Sequence, residues 1–225
     1  MNNKEVRFIP FDQWAEMRAE ENEEGSAVIT GQPIVFNQVT DLGFCREVIE
    51  PAALENTDLR DVPLLCQHDF GMIPLARSRN NNANSTMQLT ITESGMFIRA
   101  TLDIKGNPKA AELYSAIRRG DITGMSFAFV VGEDSWEGLD TDSPLRSIRG
   151  ITKVFEVSAV THPAYIGTSI QAAGMEEALE SAKSSLESAR RQLAEERAKE
   201  AEQERRTALI ARLEKLNGEV KHNEV

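Results

Sequence analysis

Apolar residues along the first 170 positions come in short runs with strand-like alternation, separated by polar clusters. SAVITGQPIVF reads as a strand, QVTDLG as a turn, and FCREVIE as a second strand in which Cys45, Glu47 and Ile49 alternate with Phe44, Arg46 and Val48. PAALEN follows as a short helical turn with Pro51 at its start. DVPLLCQHDF is the next apolar run, RNNNANS a polar break, and MQLTITESGMFIRATLD a hairpin around a tight turn at ESG. NPKAAELYSAIRRG is the clearest helix of this region. Asn107 can cap it, Pro108 suits its first position, and Gly120 ends it behind two arginines that complement the negative end of the dipole. DITGMSFAFVVG reads as a strand, EDSWEGLDTDSPL as a polar loop, and SIRGITKVFEVSAV as one or two further strands. About seven short strands and one good helix between residues 26 and 170 predict a β-rich barrel or sandwich.

The pattern changes at both ends. Residues 1–25 finish in the acidic stretch EMRAEENEEG, which predicts a solvated or irregular lead-in. Residues 175–216 contain no Pro or Gly and are rich in Ala, Glu, Arg, Leu and Lys, the composition of a long helix or coiled coil. Leu179, Ala182, Leu186, Ala189 and Leu193 form a stripe that lapses through EERAKEAEQERR and resumes at Leu209, Leu213 and Leu216. The expected organisation is therefore an acidic lead-in (1–25), a β-rich domain (26–172) and a helical tail (173–225) suited to a partner or to self-association.

Charge narrows the function classes. The net charge is −11, and residues 171–225 hold 12 acidic against 10 basic residues, so residues 1–170 carry the other −9. Bulk nucleic-acid binding needs clustered Lys and Arg and is disfavoured. No apolar run approaches the ~20 residues of a membrane span, and the N-terminal stretch has no long apolar segment, which predicts a soluble protein made in the cytosol. Two cysteines, Cys45 and Cys66, are expected to be reduced thiols.

Three separated segments carry reactive side chains in strand-like settings: PLLCQHDF with His68, TGMSFAFVV with Ser126, and VFEVSAVTHPAY with Glu156 and His162. Acyl transfer by serine needs a nucleophile, a base and a group that orients the base. Imidazole suits the base because it titrates near neutral pH, and of the three histidines only His68 and His162 lie outside the helical tail. Strand alternation puts Val154, Glu156, Ser158 and Val160 on one face, where a carboxylate needs a partner. Each residue also has a structural reading. The Ser126 hydroxyl can be satisfied by a neighbouring carbonyl, His68 can be a structural histidine, and Glu156 can pair with an Arg or Lys. A metal site fits poorly, since Cys66 and His68 are two apart and the chain has no CxxC or HxxxH pair. There is also no GxSxG elbow, Walker loop or GxGxxG motif.

In order and spacing, the segments FCREVIEPAAL, LLCQHD, GDITGMSFAF and EVSAVTHPAY resemble the prohead (capsid maturation) proteases of tailed bacteriophages, from about GQPIVFN to about PAYIGTS. That family is similar in fold to the herpesvirus assemblins. The resemblance therefore implies a β-rich α+β fold: a closed or partly open barrel of about six to seven strands with flanking helices, plus the long C-terminal helix. It implies Ser126 as nucleophile and His68 as general base. Assemblins place a histidine before Val-Ser as third member, and FEVSAV has Glu156 at that place, which ranks Glu156 above the alternative His162. By analogy the loop at Gly167 and Thr168 supplies oxyanion-binding N–H groups. The resemblance further implies no cofactor and, as substrates, the internal scaffold of an immature capsid and the protease itself. Its partners are then the scaffold and major capsid proteins, in the host cytoplasm and then inside the procapsid. Assemblins act as dimers, which extends the expectation to a homodimer, with no nucleic acid or membrane involved. Two competing readings remain at the level of sequence. One is a non-enzymatic assembly module with a helical arm, and the other is a hydrolase of small esters.

Overall fold

The computed structural model describes residues 4–10, 18–21, 26–161 and 175–222. These contain strands β1 (Lys4–Pro10), β2 (Arg18–Glu21), β3 (Ala27–Val35), β4 (Thr40–Asp41), β5 (Arg46–Ile49), β6 (Asp61–Cys66), β7 (Ala76–Arg79), β8 (Met87–Thr92) and β9 (Gly95–Leu102). Helix α1 (Pro108–Arg119), the long strands β10 (Gly124–Glu137) and β11 (Leu145–Val160), and helix α2 (Met175–His222) follow. A 3₁₀ turn covers Pro51–Leu54. The chain divides into two compact units, Met1–Lys183 and Ser184–Val225.

The architecture is mixed α+β and rich in strands. Where sequence predicts a barrel of six to seven strands, the described strands instead form two sheets with no ladder joining them. The first has seven strands, ordered β1-β10-β11-β5-β4, with β6 pairing to β11 and to β7. The second is the four-stranded β2-β3-β9-β8. The closure expected from counting strands fails because β10 and β11 form one long antiparallel hairpin, and β5 and β6 then add in parallel at successive stretches of β11. Side chains of both sheets and of α1 merge into one core. Met125, Phe127 and Phe129 point into it from β10, with the two phenyl rings stacked at 4.6 Å. Ala110, Leu113, Tyr114 and Ile117 enter from α1 at helical spacing.

Local signals act where expected. The Asn107 side chain accepts from the Lys109 N–H at 3.0 Å, and Gly120 closes α1 in the left-handed region at φ 76°. At the β8–β9 turn, Gly95 has φ 144°, and a Cβ there would lie 1.9 Å from the Ile34 carbonyl oxygen. Two expectations change. The segment Glu133–Glu137 is not loop but the second half of β10, paired to the start of β11. The acidic lead-in contains β1, paired with β10 from Gly124 to Val130, and β2, paired with β3.

A buried ion cluster holds β1 and the second half of β10 in place. Arg146, 2% exposed, makes paired hydrogen bonds to Glu5 of β1 at 2.9 and 3.1 Å. It also reaches Glu47 of β5 at 3.1 Å and Asp134 of β10 at 2.7 Å, and it lies over the Trp136 ring. Burial opposes its charge, but the Glu5 hydrogen bonds and the three nearby carboxylates outweigh this and hold the guanidinium more firmly protonated than usual. Ser181, in the first turns of α2, adds a hydrogen bond to Glu5 at 3.2 Å. In the second unit, α2 continues as helix, with Leu209, Ile210 and Leu213 about half exposed. Among the described residues no helix is long and apolar enough to cross a membrane.

Replacing Arg146 with Leu leaves Glu5 and Glu47 buried without their cation. The expected cost is about 3–5 kcal/mol, read as a lowered denaturant midpoint; an unchanged midpoint contradicts this role for the cluster.

Candidate active site

The candidate residues sit where three strands meet. On β10 the core takes Met125, Phe127 and Phe129, so Ser126 and Ala128 face the other way. On β11 the core takes Val154, Val157 and Ala159. That odd spacing has a cause. Ala128 pairs with Glu156 while the next residue, Phe129, pairs with Val154, so Phe155 is an extra residue at a bulge. The sequence expectation that Val154 shares a face with Glu156 is therefore corrected. The bulge turns Glu156 and Ser158 onto the face of Ser126 and leaves Val154 in the core.

The register then fixes the neighbours. Ser126 lies directly opposite Ser158, and Ser158 on its other side pairs with Leu65 of β6. Opposed residues of an antiparallel pair have Cα atoms about 4.5–5.5 Å apart. Just beyond β6 the chain turns through Gln67 and His68, both left-handed at φ 55° and 57°. The Asp69 N–H closes this turn on the Cys66 carbonyl at 3.1 Å, the pattern of a type I′ turn. Neither residue is glycine, so each carries a backbone cost of about 1–3 kcal/mol that its surroundings must hold in place. The ladder to Ala159 through the Gln67 N–H (3.0 Å), a side-chain bond from Gln67 to Thr161 (3.0 Å), and a bond from the His68 N–H to the Ser158 hydroxyl (3.1 Å) do so.

This turn delivers the His68 ring to Glu156. His68 Nδ1 lies 2.7 Å from Glu156 Oε1, and the Ser158 hydroxyl donates to Glu156 Oε2 at 2.5 Å. Glu156 and Ser158 have no exposed surface, Ser126 is 1% exposed and His68 8%. Against an ionised carboxylate, which only accepts, a neutral ring carries its proton on Nδ1 and keeps its lone pair on Nε2. Ser158 is the residue that sequence reading missed as a functional group. Its signal is the E-x-S spacing, which puts two polar side chains side by side on a strand. The expected His162, Gly167 and Thr168 lie outside the described residues.

A strand-borne serine, an imidazole on a strained turn and a buried carboxylate on one sheet face are the parts from which acyl-transfer sites are built. Residues 13–183 match the model of the caudovirus prohead serine proteases. The chain belongs to that family. The prohead protease of Enterobacteria phage HK97 is 24% identical over 181 residues, covering 79% of this chain and 73% of the relative. A solved structure, the bacteriophage T4 capsid assembly protease, matches 72% of this chain and 100% of its own length at 14% identity with a TM-score of 0.40. In this chain Ser126, His68 and Glu156 come from three different strands or their ends, and the β10–β11–β6 pairing brings those segments together.

Proposed function

We infer that this chain is the serine endopeptidase of phage capsid maturation, with Ser126 as nucleophile, His68 as general base and Glu156 as the group that orients it. The observation that carries this reading is the 2.7 Å contact between His68 Nδ1 and the fully buried Glu156 Oε1. With Nδ1–H given to the carboxylate, Nε2 is the atom that takes the proton from the Ser126 hydroxyl as its oxygen attacks a peptide carbonyl. The imidazolium formed is stabilised by Glu156, and it then protonates the departing amine. Water repeats the sequence on the acyl-enzyme, with His68 again as base. Ser158 is a positioning residue, because its hydroxyl ties the His68 backbone to the second carboxylate oxygen. The Glu156 contact favours Glu156 over His162 as third member. Gly167 and Thr168 remain oxyanion-site candidates by analogy with the assemblins.

The substrates in this reading are the internal scaffold and the protease itself, cut within the procapsid. The near-complete burial of Ser126 supports a form that must open before it acts, which suits activation by self-cleavage. The helix beyond residue 183, with its exposed leucines, is read as the arm that recruits the protease through scaffold or capsid protein.

Co-expression with the scaffold and major capsid proteins of its phage tests both points. Intact-mass spectrometry is expected to show scaffold and self cleavage that Ser126→Ala abolishes without changing the fold; processing that persists in this variant removes the nucleophile assignment. Ending the chain after Lys183 is expected to preserve cleavage and lower the copies of protease in purified procapsids, and normal incorporation contradicts the recruiting role.

A further inference from the structure

A cavity of about 500 Å³ opens at the end of the sheet where β6 and β11 finish and β10 begins, and apart from the Gln67–Thr161 hydrogen bond at its edge the chemistry above uses none of it. Its walls are apolar: Cys66, Met72 and Leu75 from β6 and the loop after His68, Leu113 and Ala116 from α1, and Ile122 just before β10. Met72 is fixed there by a hydrogen bond from the Cys66 N–H to its sulfur at 3.3 Å. Burial pushes the Cys66 thiol up, with Glu112 acting in the same direction, so this wall is uncharged at neutral pH.

The rim is charged but satisfied locally. Lys109 pairs with Glu112 at 2.9 Å, the Arg119 Nε donates to Asp121 at 2.7 Å, and Asp69 accepts from the Gly71 N–H at 2.9 Å. A charged side chain entering here would lose water and meet the Lys109–Glu112 and Arg119–Asp121 pairs, already satisfied. An apolar one loses nothing and is sheltered. A second observation points the same way. The loop carrying Met72 also holds Phe70 and Ile73, 55% and 83% exposed, so apolar surface continues outward from the cavity along the segment that begins at His68.

We propose that this cavity selects the substrate: it takes one large apolar side chain, aliphatic or aromatic, of an extended peptide, and the ledge of Phe70 and Ile73 lies against the same segment. The proposal rests on Ser126 being the nucleophile. Ile122 precedes Ser126 by four residues, at most about 13 Å of extended chain, so the selected side chain lies within about four residues of the bond cut.

A peptide library from a denatured bacterial proteome, digested with the full chain and mapped by mass spectrometry of new termini, tests this. Cuts are expected to share a Leu, Ile, Met or Phe at one fixed position. Ala116→Phe, which fills the cavity from α1, is expected to slow those cuts at least about tenfold. Ile73→Asp, at a side chain too exposed to matter for folding, is expected to slow them several-fold and decides the matter if the Ala116 variant is insoluble. Ser126-dependent cuts without a fixed apolar position, or unchanged rates and sites in these variants, overturn the pocket and leave the protease standing. A library left whole, or one cut equally by Ser126→Ala, overturns the protease reading and the pocket with it.

Discussion

A carboxylate with no exposed surface must find a partner for each oxygen, and the way Glu156 does so organises this protein's site. One oxygen takes the His68 ring and the other the Ser158 hydroxyl. Both partners are within reach only because the bulge at Phe155 turns Glu156 out of the core, and because parallel pairing with β6 ends beside Ser158. The strained turn at Gln67 and His68 follows from the same requirement, since a more ordinary exit from β6 would carry the ring away from the carboxylate. The site is thus a consequence of strand register, and a slip of one residue in the β10–β11 pair would turn Ser126 into the core.

The surrounding structure is built to prevent that slip. Met125, Phe127 and Phe129 hold one face of β10 in the core, while Arg146 ties β1, β5 and the far half of β10 to β11 through three carboxylates. Both devices lock the same hairpin from opposite ends. The first supplies apolar burial. The second supplies directional bonds whose loss would strand buried charge.

Local chemistry was the readable part of the sequence. Asn107, Pro108 and Gly120 bound α1 by capping rules that need no tertiary information, and the ESG turn gives the β8–β9 hairpin in the same way. Long-range pairing was not readable. β1 lies in a polar lead-in and is a strand because β10 and Arg146 receive it, more than a hundred residues away. Glu133–Glu137 reads as loop because its polar residues are matched only by partners on β11. The candidate residues could be found one by one, since a serine, a histidine and a glutamate in apolar runs attract attention. The bulge that brings Glu156 to the Ser126 face, and the role of Ser158, depend on register and stay hidden in a single strand's alternation.

The account turns on which nitrogen of His68 carries the proton. Nitrogen-15 NMR of the imidazole in the intact protein at neutral pH reads this directly. For the neutral form of the ring the prediction is a proton on Nδ1, shifted far downfield by the Glu156 carboxylate, with Nε2 bare. A ring protonated at Nε2 with a bare Nδ1 would contradict it, because that tautomer can neither donate to Glu156 nor take a proton from Ser126.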